Sequence, residues 1–118
     1  MVRNAADPAQ VRRAERKERD AQEQRLERLK AVMSTENGRA VMWDLLERAG
    51  VFRSIWHPSA EIHYRAGRQD YGHELQAFIL EADEDLYDTM AREARARAKR
   101  TANETDAAHT ARAEQGAK

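Results

Sequence analysis

The chain contains no cysteine, which excludes disulfides and thiolate chemistry. No apolar run approaches the length of a membrane span, and the N-terminus lacks the apolar stretch of a signal peptide. A soluble protein made in the cytoplasm, with no membrane contact, is the expectation. An excess charge of either sign is missing too. The 21 basic and 21 acidic side chains cancel, so no global field draws the chain to nucleic acid or anionic lipid. Scarcest of all are large apolar side chains away from the middle. They crowd between residues 41 and 90 and almost vanish elsewhere, although hydrophobic residues, many of them alanine, make up 41% of the 118. A core drawn from roughly fifty residues is marginal, because small domains bury a lower fraction of their surface. Partner binding or oligomerisation would add buried area.

Residue patterns for catalysis are also missing. His57, His63, His73 and His109 are spread along the chain, with no His-x-x-x-His pair and no Cys to complete a zinc site. His63 and His73 are ten positions apart on one expected helix, about 15 Å of rise, too far to share an ion. Glu81, Asp83, Glu84, Asp85 and Asp88 cluster at a helix start, where exposed N–H groups favour acids. Asp83 and Asp85 lack the remaining oxygen ligands and the glycine of a calcium loop. Ser34, Ser54 and Ser59 lie at turns without a nucleophile motif, and the glycines form no phosphate loop. No catalytic, metal or cofactor site is expected, and the chain reads as a non-enzyme.

What the sequence does contain is helix-forming residues in an all-α order. Asp7-Pro8 is a helix start, with Asp as N-cap and Pro in the first position. From there to about Met33 nothing breaks a helix; Val11 is the sole large aliphatic of its first half, and Leu26, Leu29, Val32 and Met33 form a stripe near its end. This helix should pack through its last two turns and project elsewhere. Ser34 or Thr35 caps a second helix ending at Gly50, with Val41, Met42, Leu45, Leu46 and Ala49 as its apolar set and Trp43 off that face. Residues 51–58 form an apolar connector expected to fold back as a plug, anchored by Phe52 and Trp56. A partner-facing patch is the alternative reading. Ser59 caps a third helix to about Ala82, with Tyr64, Gly67, Tyr71, Leu75, Phe78 and Ile79 on one face. Asp83 caps a fourth to about Arg100, whose large apolar contacts are Leu86, Tyr87 and Met90. Residues 101–118 hold no large apolar side chain and should be disordered in isolation.

The expected architecture is a central antiparallel helix pair with extended N-terminal and C-terminal helices. It divides into a charged arm (1–33), a helical hairpin core (34–82) and a C-terminal helix with a disordered tail (83–118). Leu26, Leu29, Met33, Phe52, Trp56, Leu86 and Met90 are the candidate partner-binding residues. One good heptad through Leu26, Leu29 and Met33 is too little for a free coiled coil. Residues 81–90 hold five acids and no base, and 91–100 five bases and one acid, an order that suits a helix dipole. Arg92, Arg95 and Lys99 are candidates for phosphate contact, without stacking aromatics beside them. Weak nucleic-acid contact is thus a secondary expectation.

The run Asn37-Gly38-Arg39-Ala40-Val41-Met42-Trp43-Asp44-Leu45-Leu46-Glu47-Arg48-Ala49-Gly50-Val51-Phe52 resembles the opening half of the Bbp-type small proteins of short-tailed phages. Ile62-His63-Tyr64-Arg65-Ala66-Gly67-Arg68-Gln69-Asp70-Tyr71-Gly72, followed by Leu75 and Ile79, is similar to the second half. The resemblance covers about residues 36–80. It implies a protein encoded among head and tail genes, a virion component near the portal or the internal, ejected proteins, with no catalytic residues. Gly67 and Arg68 match the family's Gly-Arg pair. Gly67 would let the third helix approach the second, and Arg68 would reach Asp44 or Glu47.

The combined expectation is a structural virion protein with phage structural proteins as partners, forming a homo-oligomer within the assembly and ordered by it. Two alternatives stay open: a nucleic-acid-binding accessory protein using residues 92–100, and a transient scaffold or chaperone.

Overall fold

Local chemistry at the helix ends explains where the chain turns. The structure is a computed structural model describing residues 7–116, and it contains four helices: α1 (Pro8–Met33), α2 (Glu36–Ala49), α3 (Glu61–Ala82) and α4 (Glu84–Gly116). The all-α expectation holds, with no strand among the described residues. Asp7 caps α1 by accepting from the Ala9 N–H at 3.1 Å, and Pro8 occupies the first turn, where its missing N–H costs nothing. Thr35, extended at φ −110° and ψ 150°, caps α2 by accepting from the Gly38 N–H at 3.0 Å. Gly50 closes α2 at φ 82°, and the Val51 N–H reaches the Leu46 carbonyl at 3.3 Å, the bond of a Schellman stop. Ser59 accepts from the Glu61 N–H at 3.3 Å, and α3 begins one residue later than expected. Asp83 separates α3 from α4: its backbone is extended, and its Oδ1 accepts from the Leu86 N–H at 3.0 Å.

Seven side chains are buried: Leu29, Met33, Met42, Leu46, Ile79, Met90 and Ala94. The four largest fully buried ones are Met33, Leu46, Ile79 and Met90, one from each helix. Trp43, Val51, Leu75, Phe78, Leu86 and Tyr87 pack around this cluster half-buried. The core therefore draws on the end of α1 and the first part of α4 as well as on α2 and α3. Polar ties reinforce it. Arg39 Nε pairs with Glu93 Oε1 at 2.6 Å, with the two side chains only 14% and 21% exposed, and its Nη1 donates to the Met33 carbonyl at 3.0 Å. Lys30 and Asp83 approach to 3.6 Å, and Gln76 donates to the Tyr87 hydroxyl at 2.7 Å.

The expected face of α3 holds in its second half, where Ile79 is buried and Leu75 and Phe78 pack on the core, and fails in its first. Tyr64 and Tyr71 are 64% and 68% exposed, and Gly67 faces open space. An inward line at helical spacing runs through Ile62, Ala66, Gln69, Gly72, Gln76 and Ile79, with small and polar residues between the two isoleucines. The close approach to α2 is made at Gly72, where an added Cβ would fall 2.5 Å from Val51 Cγ2 and 2.6 Å from Ala49 Cβ. Gly67 is not the packing glycine. On α2, Met42 and Leu46 are buried, but Val41 and Leu45 are exposed and Trp43 is half-buried, so the buried line is rotated from the expected one.

α1 behaves as expected: its last two turns pack, and the stretch before them is almost wholly exposed. α4 corrects the expected tail. It continues as helix through residues 101–116, every one of them exposed. That stretch holds five alanines and no proline, so nothing breaks the helix; missing apolar residues deny it packing, not local helical geometry. The molecule extends 93 × 40 × 15 Å with a radius of gyration of 22.5 Å, against about 13 Å for a compact chain of roughly a hundred residues.

Two outcomes follow for thermal or urea unfolding. Gly72→Leu lowers stability by about 1–3 kcal/mol through overpacking, whereas Gly67→Ala raises it by up to about 1 kcal/mol through helix propensity. Arg39→Ala, which strands Glu93, costs about 2–3 kcal/mol, and the double replacement Arg39→Met with Glu93→Met recovers most of that loss.

Candidate partner-binding surfaces

The sequence candidates for partner contact separate into two groups. Leu29, Met33 and Met90 are buried within the chain itself. They hold α1 and α4 onto α2 and α3 and offer nothing to a partner, which corrects their expected role. Leu26 and Leu86 are half-buried. Phe52 and Trp56, in contrast, are 46% and 67% exposed, so the expected plug does not form. Phe52 stacks on Trp43, with ring centroids 4.5 Å apart and planes at 22°. Trp43 is fixed by donating from Nε1 to Glu47 Oε1 at 2.7 Å. Trp56 is held by its backbone, whose N–H donates to Ser54 Oγ at 3.2 Å, while its ring stands in solvent. The connector is anchored through hydrogen bonds; Val51 and Ile55 are half-buried, while Phe52 and Trp56 are left largely outside.

The C-terminal end of α2 is where α3 and the connector meet it. Carbonyls left unpaired at a helix end attract donors. Arg53 Nη2 donates to the Glu47 carbonyl at 2.9 Å, Arg68 donates to the Arg48 carbonyl, and Gln69 Nε2 donates to the carbonyls of Gly50 and Arg53 at 2.9 and 3.1 Å. Arg68 thus binds backbone, not Asp44 or Glu47, and its guanidinium also lies 5.7 Å from the centre of the Tyr64 ring. Asp44 pairs with Arg48 at 3.0 Å instead.

Beside this junction an open groove of about 830 Å³ runs between α2 and α3, lined chiefly by Leu45, Ala49, Tyr64, Gly67, Tyr71 and Leu75. It adjoins a smaller pocket of about 290 Å³ whose walls carry Arg48, Arg53, Arg65 and Arg68. This groove was not legible in the sequence, where Tyr64 and Tyr71 share one helical face with Leu75, Phe78 and Ile79 and nothing separates them from the residues that pack inward. The Arg39–Glu93 tie was missed as well, since residues 54 positions apart leave no local signal.

Arg92, Arg95 and Lys99 are all exposed along one line of α4. Asp85 and Asp88 precede them on the same line, so the face is acidic, then basic, not uniformly cationic. Among the described residues, no group of three or more His, Asp or Glu is placed to hold a metal ion, and no helix is long and apolar enough to cross a membrane.

Iodide quenching distinguishes the two indoles. With Trp43 replaced by Phe, the remaining Trp56 emission should be quenched several-fold more efficiently than the Trp43 emission that remains after Trp56→Phe. Equal quenching would contradict the outward connector.

No curated protein and no solved structure matches the chain. A family match does exist and spans residues 29–92. It runs from the first buried residue of α1, Leu29, to just past Met90 in α4, and so encloses the whole cluster of Leu29, Met33, Met42, Leu46, Ile79 and Met90. It is wider than residues 36–80, and both exposed arms lie outside it. The matched unit is the four-helix core, and on that match the chain belongs to the Bbp19-like phage protein family.

Proposed function

We propose that this phage protein is a non-enzymatic structural component of a tailed-phage virion. In this reading it is bound in several copies to the portal or to internal core proteins, and its helical arms are covered by assembly. One observation carries the reading. The chain exposes 9564 Å², whereas a compact monomer of this size exposes roughly 6,600 Å². The surplus of roughly 3,000 Å² is of the order that permanent complexes bury. Two arms, the first four turns of α1 and residues 101–116, are almost wholly exposed and add to it. Helices of this kind are marginal alone, because most helical stability in proteins comes from packing. Laid along neighbouring subunits, the arms would gain the contacts their own chain does not supply. Alternating charges such as Glu15, Arg16, Glu18 and Arg19 suit polar bridging between subunits better than burial in an apolar interface.

Mass spectrometry of purified virions tests this directly, and the protein should be present at several copies per particle. Absence from mature particles would overturn the proposal in favour of a transient assembly factor. Hydrogen exchange supplies the second measurement. In the isolated chain, amides of residues 29–94 should be protected and those of 8–22 and 101–116 should exchange rapidly, and the latter should become protected in the particle.

A further inference from the structure

The groove between α2 and α3 carries an inference that goes beyond the virion reading and stands without it, because the groove belongs to the core and not to the arms. Gly67 lies at its floor. An added Cβ there would meet nothing within 4 Å, so the chain's own packing does not require a glycine, although glycine weakens a helix interior. On either side, one turn away, Tyr64 and Tyr71 stand exposed, and Leu45 borders the groove from α2. From Tyr64 to Leu75 the floor is about 16 Å long, three turns of a helix. Gly67 leaves room in the middle for a backbone to come close.

The groove opens at one end into the arginine pocket, and the two share Arg48, Ala49, Tyr64 and Arg68. Of the pocket's four guanidinium groups two are paired with carboxylates: Arg65 with Glu61 at 3.4 Å, which His57 also approaches at 3.0 Å, and Arg48 with Asp44 at 3.0 Å, which lies outside the pocket. Arg53 and Arg68 make no ion pair among the described residues and donate only to carbonyls at the α2 C-terminus. That helix end supplies about half a negative charge, too little to balance two cations. The pocket therefore keeps a positive surplus beside an apolar trough.

We infer that this composite surface docks a short amphipathic helix of another protein, about three turns long, apolar on the face that enters the groove and acidic at the end that reaches Arg48, Arg53, Arg65 and Arg68. Helix-in-groove recognition uses apolar anchors at successive turns for affinity, and charge complementarity at one end fixes the direction of the docked helix. The terminal arms of a second copy do not supply such a segment: among the described residues they offer Val11 as their one large exposed apolar side chain, and the acidic stretch that carries Leu86 and Met90 has Met90 buried and Leu86 half-buried in its own core.

Fluorescence anisotropy with the full chain tests this, using two labelled synthetic helical peptides as probes. Both carry a leucine stripe three turns long; one ends in glutamates and the other in lysines, and each is made with the charged end at either terminus. One orientation of the glutamate peptide should bind with a Kd on the order of 10 μM, and its lysine counterpart at least about tenfold more weakly. Gly67→Leu fills the groove without removing any native contact, and should weaken binding at least about tenfold while circular dichroism stays unchanged. Arg48→Glu, at an exposed position, should weaken the glutamate peptide and strengthen the lysine peptide. Four results would overturn the inference: no binding of either peptide, equal binding of both, indifference to Gly67→Leu, or self-association of the free chain that Gly67→Leu abolishes.

Discussion

Four side chains, one from each helix, meet where Met33, Leu46, Ile79 and Met90 lose all contact with water. Every other feature of the molecule is placed by that meeting. Burying such a side chain contributes about 1.5–3 kcal/mol, so no helix can be removed without losing a large share of the total. Yet each helix is gripped over a short length: α1 at its last two turns, α4 over its first three, α2 by Met42 and Leu46, and α3 near Ile79 and Gly72. The family match has nearly the same limits as this contact: it begins at the first buried residue, Leu29, and ends at residue 92, just short of the last, Ala94.

The arms are the geometric consequence. A helix gripped at one end continues in a straight line for as long as its residues permit, and neither the first part of α1 nor the last part of α4 contains a breaker. The result is a thin, elongated molecule, 15 Å deep and 93 Å long, with a small packed centre. The charge pattern fits the same geometry. Acids near the start of α4 and bases beyond them follow the helix dipole, and the interleaved charges of α1 keep a long exposed rod in water.

Much of this was legible in the sequence, and the part that was not has a common cause. Helix ends depend on a few adjacent residues, and Asp7, Thr35, Gly50 and Asp83 act where the sequence places them. The choice of buried face depends on distant residues. On α3 the large side chains Tyr64 and Tyr71 gave the stronger periodic signal, but Gln69 and Gly72 face α2, because its C-terminal carbonyls need donors and its Ala49 needs space. The connector misled for a similar reason. Its apolar composition suggests a buried plug, whereas hydrogen bonds from Arg53 and Gln69 fix its path and leave Trp56 outside. Partner surfaces were hardest to read, since Leu29, Met33 and Met90 look the same in sequence whether they are buried at home or against a neighbour.

The composition of the core also explains why it carries polar ties. Three of its buried residues, Met33, Met42 and Met90, are methionines, whose flexible side chains fill space without fixing the angle between helices. Direction must then come from groups with stricter geometry. Arg39 provides it: one guanidinium holds the Glu93 carboxylate of α4 and the last carbonyl of α1 while its own backbone begins α2. A salt bridge shielded this far from water adds little net stability relative to apolar packing, but it is costly to misplace. Any arrangement of α1, α2 and α4 that separated Arg39 from Glu93 would leave a shielded charge unpaired, a cost that apolar contacts among methionines do not impose. Because α1 and α4 both run on from this contact as unbroken helices, a small rotation there would swing their far ends by many ångströms. The Arg39–Glu93 pair ties α1, α2 and α4 together at the base from which both helices extend.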